Sequence, residues 1–324
     1  MPFPADHFPI SSLFCLCVFV IAVAYFRQKE GSRMALRIGS HPNHLSLFIL
    51  HHRGVLETAL APWGGVIWTN NLHGSESAAW LAEGRLDVVG TGSTLPLLAQ
   101  ESGLDVAYLA ASPDHTANCA LLALKDGERK STQDLRGARI AVMKGTFADR
   151  FLARLLVQHG LTLDDITLID LNGSDAARAL REGRVDLWAA IDPWLSAAQD
   201  AKKIRCLTQA DGVIRHRSLV WCRESWLHQS AQQAEILLNV LTENDRWIAS
   251  HSQQAAELIH RHQPGSLSVT RWQSAIRARP WGMHRITPQL LAEQQLQADD
   301  LLAARFIRQP LTTDFVRRDE GVIF

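Results

Sequence analysis

From residue 36 onward, short apolar runs alternate with amphipathic stretches. Residues 36–39, 66–69, 86–90 and 107–111 read as strands, and 76–83 and 95–101 as helices. A second series follows. Residues 119–125 are apolar, Ser131 stands as a helix N-cap with Asp134 three positions on, and 139–143 forms the next strand. A helix over 147–159 places Phe147, Phe151, Leu152, Leu155 and Leu156 on one face and stops at Gly160. Strands at 166–171 and 187–191 flank a helix at 176–182, and another helix starts at 193. Beyond Trp221 the pattern turns helical, over 231–249, 252–260 and 288–306. Strand and helix in turn predict an α/β fold of βαβ units with parallel strands.

The chain echoes itself. Residues 75–87 end in Glu83-Gly84-Arg85-Leu86-Asp87, and 174–186 end in Glu182-Gly183-Arg184-Val185-Asp186. In each copy a helix stops at a glycine, turns on a charged residue and feeds an apolar strand. Two lobes built on one plan are expected, with ligand groups in the loops beyond the strands' carboxyl ends.

Composition narrows the chemistry. Lys plus Arg equal Asp plus Glu at 33 each in 324 residues, which leaves no basic field for nucleic acid. A charged ligand must then be held by local geometry. The five cysteines lack C-x-x-C spacing, so neither a disulfide framework nor a zinc site is expected; Cys119 and Cys222 read as buried strand residues. Residues 10–26 are almost wholly apolar and end in Ala22-Val23-Ala24, which suits a cleaved export signal. Asp6 precedes this run and Arg27, Lys29 and Arg33 follow it, the reverse of a signal's charge polarity. The segment 1–33 is therefore a signal peptide or an anchor, with a cytoplasmic start at Met34 as the other reading.

Four strand-to-helix loops carry the candidate ligand groups: 40–44, 92–94, 144–146 and 192–194. Helix N-termini present free N–H groups and a positive dipole end, so several facing one cleft make an anion site without net positive charge. Ser40, Ser93, Thr94 and Thr146 can add hydroxyl donors, or can simply cap their helices. The Lys144 ammonium can neutralise an anion, and Gly145 follows it; this loop lacks the earlier glycine of a phosphate loop, so nucleotide hydrolysis is not expected. Asp192, with Pro193 and Trp194, offers a carboxylate, a rigid first turn and an aromatic wall. Trp281 also lies next to a turn. His41 and His44 sit in the first loop, while His51 and His52 fall on the following helix, away from any metal-binding arrangement.

Taken in order and spacing, these pieces resemble the periplasmic solute-binding proteins of ABC importers, of the aliphatic-sulfonate, taurine and nitrate type. The likeness spans roughly 36–315. It rests on Leu36-Arg37-Ile38-Gly39, the two glycine turns, Leu135-Arg136-Gly137, Lys144-Gly145-Thr146, Asp192-Pro193-Trp194, Trp281-Gly282-Met283 and Ile286-Thr287-Pro288. The resemblance implies two Rossmann-like lobes, one from 34–120 and 217–324 and a second from 121–216, with a small organic anion, foremost an aliphatic sulfonate, bound between them. It further implies a periplasmic, monomeric receptor that needs no cofactor and meets an ABC permease in the inner membrane. Ligand positions carried over are Ser40, His41, Ser93, Thr94, Lys144, Gly145, Thr146, Asp192, Trp194 and Trp281. The alternatives are a desulfinase-like enzyme and a leaderless sensor on the same fold.

Overall fold

The structure is a computed structural model that describes residues 34–313, apart from 42, 71–75, 116–118, 172, 192–193, 200–202 and 264–266. The leader at 1–33 and the pair Asp192-Pro193 lie outside the described residues.

Two sheets organise the chain. The first contains β1 (Leu36–Ser40), β2 (Val66–Asn70), β3 (Val88–Gly92), β4 (Val106–Ala111), β10 (Ser218–Arg223) and β11 (His284–Arg285), in the order β11-β4-β10-β3-β1-β2. The second contains β5 (Cys119–Leu124), β6 (Arg139–Val142), β7 (Thr167–Asp170), β8 (Leu187–Ile191) and β9 (Ile204–Gln209), in the order β7-β6-β8-β5-β9. Apart from the short β11, the two orders correspond. In each, a parallel trio (β2-β1-β3 or β7-β6-β8) is followed by one antiparallel strand, β10 or β5, supplied after the chain has crossed from the other sheet. This gives a two-lobed α/β fold. The chain passes from one lobe to the other between β4 and β5 and returns between β9 and β10.

Helices cover both faces of each sheet, as their apolar stripes require. On the first sheet, α1 (Leu45–Arg53) buries Leu47 and Leu50, and the long α9 (Ala231–Ser250) buries Leu237, Leu238 and Leu241, against Ile38, Val88, Val220 and Cys222. The opposite face, with Val89, Tyr108 and Trp221, meets Leu81 of α3 (Ser77–Ala82), Ala99 of α4 (Thr94–Glu101) and Leu290 of α12 (Pro288–Ala303). On the second sheet, α5 (Phe147–Gln158) buries Phe151, Leu152, Leu155 and Leu156, while α6 (Gly173–Arg181) and α7 (Trp194–Gln199) cover the other side with Ala176, Ala179, Leu180 and Leu195. Each fully buried leucine, isoleucine, valine or phenylalanine among these contributes about 1.5–3 kcal/mol of burial energy.

Most elements fall where periodicity puts them, and Gly160 ends α5 in the left-handed conformation at φ 64°. Ser131 and Asp134 form a reciprocal capping box, but over a single 3-10 turn, Thr132–Leu135. A helix at Val269–Ala278, here α11, has no counterpart among the expected elements. It packs with α10 (Ser252–His262) through Ile276 and Ile259.

Candidate functional site

The strand ends of the first sheet converge on a buried polar cluster. Ser40 ends β1, and β3 runs beside it to Gly92 and Ser93. Ser93 stands at the N-cap of α4, yet its hydroxyl makes no capping bond; Oγ is buried and unpartnered, as is Oγ of Ser40. Both hydroxyls thus keep their hydrogen-bonding capacity, a costly arrangement unless something docks there. Thr94 is buried too, and its Oγ1 accepts a 2.9 Å bond from Nε2 of Gln297 on α12, while Gln294 donates to the Ser93 carbonyl at 3.1 Å.

His44 caps α1, its Nδ1 accepting from the Leu47 amide at 3.4 Å. The imidazole lies against Gly90, where a Cβ would come within 2.8 Å of Cδ2. Its buried Nε2 has no hydrogen-bond partner. Burial first, then the charge of Arg279, lowers its pKa to about 3, so this histidine is neutral. In the same loop His41 accepts from the Asn43 amide at 3.0 Å.

The two crossovers meet beside this cluster. The His115 amide donates to the His216 carbonyl at 3.1 Å, and the His216 amide to Oδ1 of Asp114 at 3.1 Å. The two imidazoles stand edge to face, 4.6 Å apart. Cε1 of His216 lies 3.6 Å from where a Cβ on Gly92 would be, and its ring centroid is 4.1 Å from that of Phe147, at the start of α5. His216 therefore touches both lobes. Its buried Nδ1 has no partner. Burial and nearby positive charge hold both rings neutral, with His115 lowered to about 4 and His216 well below the ordinary histidine value.

Arg279 completes the group. Its Nη2 donates to Ser218 Oγ at 3.1 Å, and Ser218 pairs with Gly92 across the sheet. The guanidinium makes no salt bridge among the described residues; burial lowers its pKa below arginine's usual value, opposed by the charge of the buried Asp245. Trp281, itself fixed by a 2.8 Å bond from Nε1 to the Ile276 carbonyl, lies with its ring centroid 5.4 Å from the guanidinium carbon.

Across the cleft the second lobe brings the 144–146 loop. Leu95 reaches it, 3.2 Å from where a Cβ on Gly145 would be. Several groups of this loop are already engaged: the Lys144 amide donates to Asp170 at 3.2 Å, the Gly145 amide to Asp149 at 2.6 Å, and the Thr146 hydroxyl to the Met143 carbonyl at 2.7 Å while capping Ala148. The Lys144 side chain is exposed. Trp194 is 43 % exposed and lies so close on Gly173 that a Cβ there would overlap its ring.

The residues expected from sequence thus divide between the lobes. Ser40, His41, Ser93 and Thr94 share the strand ends of the first sheet, Lys144, Gly145, Thr146 and Trp194 those of the second, and Trp281 stands behind Arg279. Sequence reasoning passed over Arg279, His115 and His216, which lie far apart in the chain and belong to no motif. The one available signal was Arg279's position two residues before Trp281. A neighbouring cavity of about 590 Å³, lined by Asp114, Arg150, Arg215, Glu293 and Asp300 among others, shares Asp114 and His115 with the cluster.

Comparisons with known proteins agree with this architecture. A protein of Escherichia coli (strain K12) named as an aliphatic sulfonates-binding protein is 26% identical over 250 residues, 77% of this chain and 76% of that protein. The crystal structure of the periplasmic aliphatic sulphonate binding protein SsuA from Escherichia coli matches with a TM-score of 0.74 and 24% identity, covering 90% of this chain and 96% of that one. The alkanesulfonate-binding protein SsuA from Xanthomonas axonopodis pv. citri, bound to MOPS, gives a TM-score of 0.73 and 25% identity over 86% and 96%. The two-lobed fold is therefore that of the periplasmic binding proteins. Residues 70–255, more than half of the chain, match the family described as NMT1/THI5 like, and to that family the chain belongs.

Proposed function

We propose that this protein is the receptor of an ABC importer and captures a small organic anion, foremost an aliphatic sulfonate, in the periplasm. The observation that carries the reading is Arg279: a part-buried guanidinium with no salt bridge to a carboxylate among the described residues, bound to Ser218, which pairs across the sheet with Gly92 next to the unpartnered hydroxyl of Ser93. Asp245 compensates this cation only through space, without a salt bridge, and a sulfonate offers three acceptor oxygens to a planar donor fork and hydroxyls. The names of the relatives point to the same ligand class.

In this reading one lobe is formed by 34–120 and 217–324 and the other by 121–216. Ser40, His41, Ser93, Thr94, Arg279 and Trp281 receive the anionic head, and Lys144, Gly145, Thr146, Asp192 and Trp194 close over the remainder. Capture is a hinge motion about the two crossovers, and a permease in the inner membrane reads the closed form of a monomeric receptor. Binding requires no cofactor. Calorimetric titration of ligand-stripped protein with alkanesulfonates, taurine, nitrate and neutral pyrimidines tests the reading. One-to-one sulfonate binding with intact ligand recovered is expected; sulfite release with turnover would make it a desulfinase-like enzyme, and binding only of neutral heterocycles would overturn the ligand class.

A further inference from the structure

Resting on the receptor reading above, we infer that anion capture is proton-linked: the His115–His216 pair at the crossing of the two hinge segments takes up a proton as the anion binds beside Arg279. The geometry carries this. His216 is 91 % buried with Nδ1 unpartnered, and it is wedged between Gly92 of one lobe and Phe147 of the other. His115 has Nδ1 3.3 Å from the Pro113 carbonyl; a carbonyl only accepts, so Nδ1 carries the hydrogen and Nε2 is left basic.

The groups facing the pair are mostly cationic. Arg279 acts on both rings from the C-terminal segment, Arg217 on His115 from the second crossover, and Arg150 on His216 from α5. The nearby Asp114 carboxylate has Oδ1 bound to the His216 amide, and its other oxygen lies 3.8 Å from Nε of Arg215. Without ligand, burial and these cations keep both imidazoles neutral at physiological pH. A sulfonate supplies the missing negative charge. At about 4 Å and an effective dielectric of about 20, one anion raises a neighbouring imidazole's pKa by about three units. That lifts His115 from about 4 to about 7. Protonation of one ring then turns it from an idle neighbour into a charge-assisted donor.

The sign follows. Between the free and bound pKa values the complex holds more protons than its components, so affinity rises as pH falls from about 7.5 toward 5 and is flat above about 8, with a slope of at most about tenfold per pH unit. Sulfonates stay ionised throughout this range, so the slope belongs to the protein.

The test is calorimetry of butanesulfonate binding at pH 6.0 in phosphate and in imidazole buffer, whose ionisation heats differ; sulfonate buffers are excluded as competitors. Uptake of about half a proton or more per anion is expected, together with a three- to tenfold tightening of Kd between pH 8 and pH 6. His115→Gln should remove most of the uptake and the slope. Arg279→Lys should weaken binding at every pH while the slope persists. Imidazole ¹⁵N resonances of the unaltered protein, with and without butanesulfonate at pH 6, give the same answer without a variant: one ring should move to the imidazolium position. Binding with no proton uptake and no ring shift would overturn the linkage and leave the receptor reading standing. Absence of binding by any sulfonate between pH 5.5 and 8 would bring down both.

Discussion

The carboxylate of Asp186 holds Arg139 by main chain and side chain together. Oδ2 accepts from the Arg139 amide at 2.8 Å and from Nε at 3.3 Å, Oδ1 accepts from Nη2 at 2.7 Å, and Nη2 also caps the Gly183 carbonyl at 2.8 Å. Asp87 grips Arg37 in the same way, and Arg37 reaches the Gly84 carbonyl. The repeated glycine turn is thus a clamp that fixes the entry of β3 and β8 beside β1 and β6. The first clamp is the more buried, with 7 % exposure of the Asp87 side chain against 23 % for Asp186. Asp87→Ala is expected to cost about 2–4 kcal/mol because it strands a guanidinium and a backbone amide. Asp186→Ala should cost less, and urea unfolding of the two variants ranks them.

Gly90 has no room for a side chain. A Cβ there would lie 2.3 Å from Cδ1 of Leu47 and 2.8 Å from Cδ2 of His44. Gly90→Ala should destabilise by about 1–3 kcal/mol and displace the His44 ring, which thermal unfolding and the His44 resonances would report.

Ser93 separates stability from binding. Its hydroxyl is buried without a partner, so Ser93→Ala should leave thermal stability unchanged or slightly higher. If the hydroxyl faces the anion, the same change weakens sulfonate binding about 5- to 50-fold. Lys144→Ala, at an exposed side chain, should have a smaller effect. Equal affinity of parent and both variants in calorimetric titration would remove these residues from the site.

Asp149 makes alkaline pH costly. Burial foremost raises its pKa to about 7, with one oxygen accepting from the Gly145 amide and the other unpartnered. Its folded pKa exceeds its unfolded one, so its favourable contribution is complete below about 4 and is lost as pH rises through about 7. Asp149→Asn should therefore gain on the parent by about 2–4 kcal/mol between pH 4 and pH 8, read by denaturant unfolding at each pH.

His44 works in the opposite sense. Its folded pKa of about 3 lies below the unfolded value, so the neutral ring's contribution is complete above about 6.5 and fades as pH falls toward 3. Relative to His44→Gln, the parent should lose about 1.4 kcal/mol per pH unit over that window. A parallel pH profile for the two proteins would contradict the assignment.

The sequence made the scaffold readable because burial imposes periodicity. The α5 stripe from Phe147 to Leu156 and the twin glycine turns have local causes, so local patterns reveal them. The seat of the cluster has none. His115 and His216 are a hundred residues apart and meet only because both crossovers pass through one point, and Arg279 follows α11, a short helix that buries only Ile276 fully and so carries few apolar positions. Single hydroxyls were legible as candidates at loop positions, but whether each caps its own helix, as Thr146 does, or stays unpartnered, as Ser93 does, depends on packing that no spacing encodes.

The place of β10 between β3 and β4 has a consequence for how the chain is made. When the ribosome has delivered residues up to 111, the first sheet has its two halves but a vacant central slot, flanked by two unsatisfied strand edges. The slot is filled only when residues 218–223 emerge, after every strand of the second sheet has been synthesised. The lobe that starts first is therefore the one that finishes last, and its open edges are exposed to mispairing throughout the interval.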